Sequence, residues 1–270
     1  MPELRRDPVS GRLVAFAPAR AGRPGAAAPA RDELAECPFC GGREDRTPPE
    51  TLRLGEPWRV RVVPNLYPAL ERQEVVVHTP EHLRSLAELP DEQLELVAEA
   101  WRRRAAAAFA DGFGYVQAIV NEGREAGSSL PHTHSQLAWF RDVPPAPAAE
   151  GAFSELLGGE VVLERDGLVL LCPTASRLPY ELLLAPRGAE SRAFESPLLG
   201  SALRLAAEGI RRLRRLHPGA PLNLWLHDVA WWHFELVPRL TVLAGLELGA
   251  GVYVNTLMPE EAATALRNAS

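Results

Sequence analysis

Cys37-Pro-Phe-Cys40 and His132-Thr-His134-Ser-Gln136 are the two runs of this sequence whose residue types and spacing could do chemistry. Two cysteines on one tight turn offer two thiolates to a single ion, and Gly41 and Gly42 behind them let backbone N–H groups approach sulfur. No second Cys-x-x-Cys follows, so a tetrahedral ion needs two more ligands. His78, His82 and His132 are the candidates, and spacing does not choose among them. A redox or unligated pair is the alternative; the position in a loop before a strand, rather than opening a helix, favours metal. In the second run, strand alternation puts His132, His134 and Gln136 on one face. An imidazole can attack phosphorus and a neighbouring amide can donate to a phosphate oxygen. The preceding turn, residues 125–129, offers N–H and hydroxyl groups to the remaining charge. A solvated strand face carrying two imidazoles would show the same spacing.

Composition narrows the chemistry. The 270 residues, 46% hydrophobic and 24% charged, suit a soluble globular protein of one large domain or two. A formal net charge of -6 argues against binding nucleic-acid backbone, while leaving room for one small anion. Every basic residue is arginine, which removes Schiff-base chemistry, a lysine nucleophile and the P-loop lysine. The three cysteines fit a reduced compartment better than a disulfide framework. There is no signal-peptide core and no apolar run long enough for a membrane span, so a cytoplasmic protein is expected.

These groups must be positioned by regular elements. Residues 18–36, rich in Pro, Gly and Ala, read as a surface loop. Valine-rich runs within 58–70 and 73–80 read as strands, and 89–110 as a helix with Leu94, Val97, Ala98 and Trp101 at helical spacing. Residues 115–123 and 133–140 follow as strands. After a proline-rich linker at 141–153 the order returns: strands within 160–173 and 180–187, a helix over about 198–216, and strands within 221–228 and 231–240. The shared order predicts a duplicated α+β unit. His233 and Glu235 of the last strand share a face, with His227 nearby; His217 reads as a capping or surface histidine and Cys172 as core.

The pattern Asn121-x-Gly123-x-x-x-Gly127-x-Ser129-x-x-His132-x-His134-x-Gln136 resembles the active-site signature of the galactose-1-phosphate uridylyltransferase family, the transferase branch of the histidine-triad superfamily. Hydrolases of that superfamily typically carry a third histidine where this chain has Gln136. "CPFC" with "RVVPNLYPAL", "TPEHLRSLAELP", and the stretch from "WWHFELVPRL" to "EEAATALR" resemble family segments in family order, so the resemblance spans most of the chain. It implies an α+β fold of two tandem histidine-triad-like units, residues 1–142 and 143–270, with antiparallel sheets and packed helices.

The same resemblance implies roles. His134 is the expected nucleophile, taking a nucleoside monophosphate from a nucleotide sugar, with Gln136 holding the phosphoryl oxygens. Ser129, with Gly127 and Ser128 in the same turn, would bind phosphate, and Asn65 and Asn121 the nucleotide. Cys37, Cys40, His82 and His132 match structural zinc ligands. Glu150, His227, His233 and Glu235 would hold a second metal, iron or zinc, with Glu235 where family members often carry histidine. Glu247 and Asn255 would meet the hexose. The expected reaction is uridylyl transfer between UDP-glucose and galactose 1-phosphate, a step of galactose metabolism. Thr241 and Leu246 stand where basic and aromatic residues are expected. An ADP-sugar or dinucleotide phosphorylase is therefore the alternative, and a zinc-stabilised nucleotide-sugar binder without catalysis a third reading. The implied partners are a nucleotide sugar, a sugar phosphate and a second copy of the chain in a homodimer, with no nucleic acid or membrane.

Overall fold

Alternating apolar residues, punctuated by proline and glycine, give twelve strands in the computed structural model, which describes residues 2–22, 33–150 and 157–270. Strands β1 (Glu3–Arg6) and β2 (Leu13–Phe16) form an exposed hairpin. The other ten make one antiparallel sheet. Its first half contains β3 (Leu52–Leu54), β4 (Val60–Pro64), β5 (Arg72–Val77), β6 (Tyr115–Glu122) and β7 (His134–Phe140), in the order β3-β4-β5-β7-β6. The second contains β8 (Gly159–Arg165), β9 (Leu168–Pro173), β10 (Leu182–Pro186), β11 (Leu222–His227) and β12 (His233–Pro238), and from the opposite edge reads β8-β9-β10-β12-β11. The halves meet at an antiparallel β6–β11 seam with Asn121 opposite Asn223.

Helices recur at matching places. The short turns α1 (Glu33–Glu36) and α3 (Pro145–Ala148) flank α2 (Asp91–Ala110), which lies between β5 and β6; α4 (Leu199–Leu216) lies between β10 and β11. After β12 come α5 (Gly245–Ala250) and α6 (Pro259–Asn268). Strand order and helix placement thus bear out the repeated α+β unit. The segment expected as a loop at 18–36 carries a 3-10 helix at Pro18–Gly22, opened by a proline that suits a first helical turn, and the single turn α1. Its residues 23–32, and residues 151–153 of the linker, lie outside the described residues.

Periodicity decides which face each helix buries. Leu94, Val97, Ala98 and Trp101 of α2 are fully buried, as their spacing predicts, and join Leu203, Ile210 and Leu213 of α4 against one face of the sheet. Each large apolar side chain so buried contributes about 1.5–3 kcal/mol. Cys172 lies in this core, and His217 caps the end of α4 beside Tyr180. The opposite face carries His134, Gln136, His233 and Glu235 together with two smaller apolar clusters, one including Val63, Val75 and Val77 and one of Val169, Leu171, Leu183 and Ala185. No helix among the described residues is long and apolar enough to cross a membrane.

Glu122, the last residue of β6, ties this framework together. Its buried carboxylate accepts from Ser85 Oγ (2.8 Å), Leu86 N (2.7 Å) and Arg214 Nη2 of α4 (2.6 Å), fixing the strand end that leads into the Gly123–Gly127 turn. Glu122→Ala strands three donors, and by the cost of breaking a buried pair it should lower stability by about 3 kcal/mol in chemical denaturation. A change under about 1 kcal/mol would show that water replaces the carboxylate.

Candidate functional site

The Cys37–Cys40 turn packs on the polar-bearing face of β4 and β5, with Phe39, Trp58, Val63, Val75 and Val77 forming a small apolar cluster around it. Into this cluster His82 and His132 each turn Nδ1: His132 Nδ1 lies 3.4 Å from Cys37 Sγ and 3.8 Å from Cys40 Sγ, and His82 Nδ1 lies 3.3 Å from Cys40 Sγ. A tetrahedral zinc with Zn–S of about 2.3 Å and Zn–N of about 2.0–2.1 Å separates sulfur from nitrogen by about 3.6 Å, so the four donors fit such an ion. His132 Nε2 donates to the Thr79 carbonyl (2.9 Å), which leaves Nδ1 as the lone-pair nitrogen and orients the ring. Burial lowers His132 to about 4, so it is a neutral donor at neutral pH. Burial also pushes the Cys37 thiol up to about 11, so a thiolate there requires a nearby cation.

His132 departs from the simple strand expectation. β7 begins at His134, and the imidazole of His132 belongs to the cysteine cluster instead of the face of His134 and Gln136. The reason is local: Thr133 N donates to Leu83 O (2.7 Å), bending the chain toward the His82 segment before β7 starts. His78, the unselected candidate, is enclosed behind the strand between Thr133 Oγ1 (3.0 Å) and Ser135 Oγ (2.9 Å), and Trp101 Nε1 donates to the same Ser135 hydroxyl. Burial, then the neighbouring His134 and His132, hold His78 well below the ordinary histidine range.

His134 Nδ1 donates to the carbonyl of His132 at 2.7 Å. A carbonyl only accepts, so the proton sits on Nδ1 and the lone pair on Nε2. Phe39 meets the ring edge-on at 5.4 Å between centroids, so the cysteine turn buttresses this imidazole as well as His132. Gln136 follows on the same face, its Oε1 accepting from Gln73 Nε2 (2.7 Å) and Asn65 Nδ2 (3.2 Å). Asn121 Oδ1 accepts from Asn223 Nδ2 (2.7 Å) across the seam. Gly123 and Gly127 adopt left-handed conformations, and a Cβ on Gly123 would meet Pro221 at 2.8 Å. The Ser128 hydroxyl donates to Leu130 O (2.8 Å), while Ser129 is exposed at the rim.

A second cluster occupies the same face of the other half. Glu150, His227, His233 and Glu235 bring one ligand atom each within 4.8 Å of one another. His233 Nε2 lies 3.6 Å from Glu150 and 3.9 Å from Glu235, while His227 Nδ1 contacts Glu150 and lies 3.5 Å from Glu235. Burial opposes ionisation of Glu150, yet its bonds to His227 and His233 bring it down to about 2. Two imidazoles and two carboxylates suit iron or zinc. His233 Nδ1 bonds the Trp231 carbonyl two residues back (3.1 Å), as His134 Nδ1 bonds that of His132, so the repeat extends to the ring orientation of its first-strand histidine. Gln136, Ile119, Trp225 and Glu235 form one cross-strand row, which at about 4.8 Å per strand separates the two sites by about 14 Å.

Sequence reasoning missed several contributors. Arg177 pairs with Glu235 and with Glu181 beside the second cluster, and Gln73 and Asn223 stand behind Gln136 and Asn121. Gln73 and Asn223 are placed by strand register and Arg177 by the turn between β9 and β10, none of which local spacing reveals. Glu247 and Asn255 keep their hydrogen bonds within the C-terminal half. Glu247 is in α5 and accepts from Ala244 N at the helix start (2.9 Å); Asn255 donates to Ser176 O (2.9 Å).

Residues 68–145 match the family described as galactose-1-phosphate uridyl transferase, N-terminal domain. Over its whole length the chain is 28% identical to an ADP-glucose phosphorylase of Arabidopsis thaliana, covering 93% of that protein. It is 26% identical to a galactose-1-phosphate uridylyltransferase of Thermotoga maritima, over 99% of this chain and 98% of that one. The crystal structure of the Arabidopsis thaliana ADP-glucose phosphorylase with bound ADP-glucose superimposes with a TM-score of 0.80, covering all of this chain and 99% of that one at 28% identity. With the repeated antiparallel fold and the paired histidine strands already in place, these likenesses show a nucleotidyltransferase-type enzyme and support the galactose-1-phosphate uridylyltransferase family for this chain.

Proposed function

We propose that this enzyme passes a nucleotidyl group from a nucleotide sugar to a hexose 1-phosphate through a covalent bond to His134 Nε2, with UDP-glucose and galactose 1-phosphate as the leading pair. The observation that carries this reading is the tautomer of His134: Nδ1–H on the His132 carbonyl and the lone pair on Nε2. In the first half-reaction Nε2 attacks the α-phosphorus, a P–N bond forms, and the P–O bond to the departing sugar phosphate breaks with its electron pair on that oxygen. The imidazole becomes cationic, and the His132 carbonyl against Nδ1–H stabilises that charge. In the second, a phosphate oxygen of the acceptor attacks the same phosphorus and the P–N bond breaks, returning the lone pair to Nε2.

The remaining groups have assignable roles in this reading. Gln136 donates to the phosphoryl oxygens, Asn65 and Asn121 contact the nucleotide, and the Gly127–Ser129 turn receives phosphate. Cys37, Cys40, His82 and His132 hold a structural zinc. Glu150, His227, His233 and Glu235 hold a second iron or zinc in the other half. Unpaired Cys37, Cys40 and Cys172 suit a reducing cytoplasm. Exposed Val242, Leu246, Leu248 and Val252 around α5 suit a homodimer in which Glu247 and Asn255 complete the acceptor site. Gln136→Ala should slow nucleotidyl-histidine formation by about 10²–10³-fold, the cost of one oxyanion donor, while leaving His134 the labelled residue. Rapid-quench mass measurement reads that rate, and an unchanged rate would remove Gln136 from phosphate.

A second reading keeps the histidine chemistry and changes the substrates: adenylyl transfer from ADP-glucose to inorganic phosphate. The full-length likeness to a plant ADP-glucose phosphorylase favours it. Isotope exchange separates the two. Labelled glucose 1-phosphate entering UDP-glucose in the absence of galactose 1-phosphate and inorganic phosphate supports uridylyl transfer, and exchange into ADP-glucose alone supports the phosphorylase. Exchange into neither overturns the covalent cycle.

A further inference from the structure

An amide side chain serves phosphate only when its NH₂ end faces the anion, and the terminal torsion of glutamine has two nearly equivalent settings. In this chain the setting of Gln136 is decided by residues behind it. Ala69 N, a backbone donor, lies 2.8 Å from Gln73 Oε1, so the Gln73 end facing it is the carbonyl and the other end is the NH₂. That NH₂ donates to Gln136 Oε1 at 2.7 Å. Tyr67 N fixes Asn65 in the same sense, accepted by Asn65 Oδ1 at 2.9 Å, and Asn65 Nδ2 is the second donor to Gln136 Oε1. Turning Gln136 over would set its NH₂ against two other NH₂ groups. Its Nε2 makes no hydrogen bond within the chain among the described residues, and both its hydrogens are available on the face that carries His134.

We propose that Gln73 is a positioning residue that transmits the polarity of the Ala69 N–H through its own amide to Gln136, holding the Gln136 NH₂ toward the phosphoryl oxygens. The proposal rests on the reading that His134 is nucleotidylated beside Gln136. Gln73 gives its acceptor to Ala69 N and its donor to Gln136, so it is placed to act through Gln136. Asn65 shares the load at a longer 3.2 Å, which makes Gln73 the stronger of the two donors.

The sharpest variant is Gln73→Glu, which keeps shape and the acceptor for Ala69 N but replaces the donor facing Gln136 with a second acceptor. Gln136 then gains by turning its NH₂ toward the introduced carboxylate, presenting its carbonyl oxygen to phosphate. Single-turnover formation of the nucleotidyl-histidine at saturating nucleotide sugar should slow by on the order of 10- to 100-fold, short of the ~10²–10³ for losing an oxyanion donor outright. Half-saturation by the donor should change little. In a Gln136→Ala background the same substitution should cause no further slowing, a result that a merely structural role would not give. Gln73→Met serves as the second variant should Gln73→Glu fail to fold, with melting temperature and metal content as controls. Slowing of equal size with and without Gln136, or no slowing by a folded variant of either kind, overturns the role of Gln73. Wild-type protein that accepts no nucleotidyl group overturns the underlying reading and the proposal with it, and the wild-type measurement distinguishes that failure from the first two.

Discussion

His134→Ala is expected to lower nucleotidyl transfer by about 10⁴- to 10⁶-fold, the scale of loss when a covalent nucleophile is removed. The fold should survive. The substitution removes a bond to the His132 carbonyl and an edge contact with Phe39, while the cysteine cluster, the β7 pairings with β5 and β6, and the α2 core remain. Steady-state transfer, thermal melting and metal content measured on one preparation check both halves of the expectation. Activity retained within about tenfold would mean that the acceptor attacks the nucleotide sugar directly, without a histidine intermediate.

Cys40→Ala is expected to reverse that pattern, losing metal and stability first and activity as a consequence. Cys40 Sγ faces both His82 Nδ1 and His132 Nδ1, so its loss leaves three donors around a site whose Cys37 thiol burial holds near 11. At free metal a thousandfold above its dissociation constant the ion contributes about 4 kcal/mol to stability. At about 2–4 °C per kcal/mol its loss lowers the melting temperature by about 8–16 °C. Chelation of the wild type should produce the same shift. Because His132 is both a cluster member and the acceptor for His134 Nδ1, nucleotidyl transfer should fall with the metal and recover on adding zinc to the chelated wild type. Equal melting temperatures for Cys40→Ala and wild type, each measured with its metal content, would remove the structural role from the ion.

Much of this architecture is legible in local pattern. The spacing of Leu94, Val97, Ala98 and Trp101 marks the buried stripe of α2, and the one-residue gaps in His134-Ser-Gln136 and His233-Phe-Glu235 mark two strands with polar faces. Long-range pairing is what local pattern does not carry. Nothing in the spacing of Asn121 and Asn223 says that β6 and β11 lie side by side, yet that seam makes one sheet and puts both histidine strands on one face. The ligand choice was equally hidden: His78, His82 and His132 are chemically equivalent candidates until β5 ends at Val77 and leaves His78 behind the strand, between two hydroxyls. Gln73 escapes notice for the same reason, since its contact with Gln136 runs diagonally between β5 and β7. Resemblance brought in Glu150, whose distance along the chain from His227 gives no local signal.

The most direct test of the central claim is rapid-quench mass spectrometry of the wild-type enzyme with a nucleotide sugar and no acceptor, followed by peptide mapping. The account predicts one nucleotidyl group per chain, attached to His134, lost in acid as a P–N bond requires, and discharged when a hexose 1-phosphate or inorganic phosphate is added. Product formation with no adduct at any time, or an adduct on a residue other than His134, would contradict it.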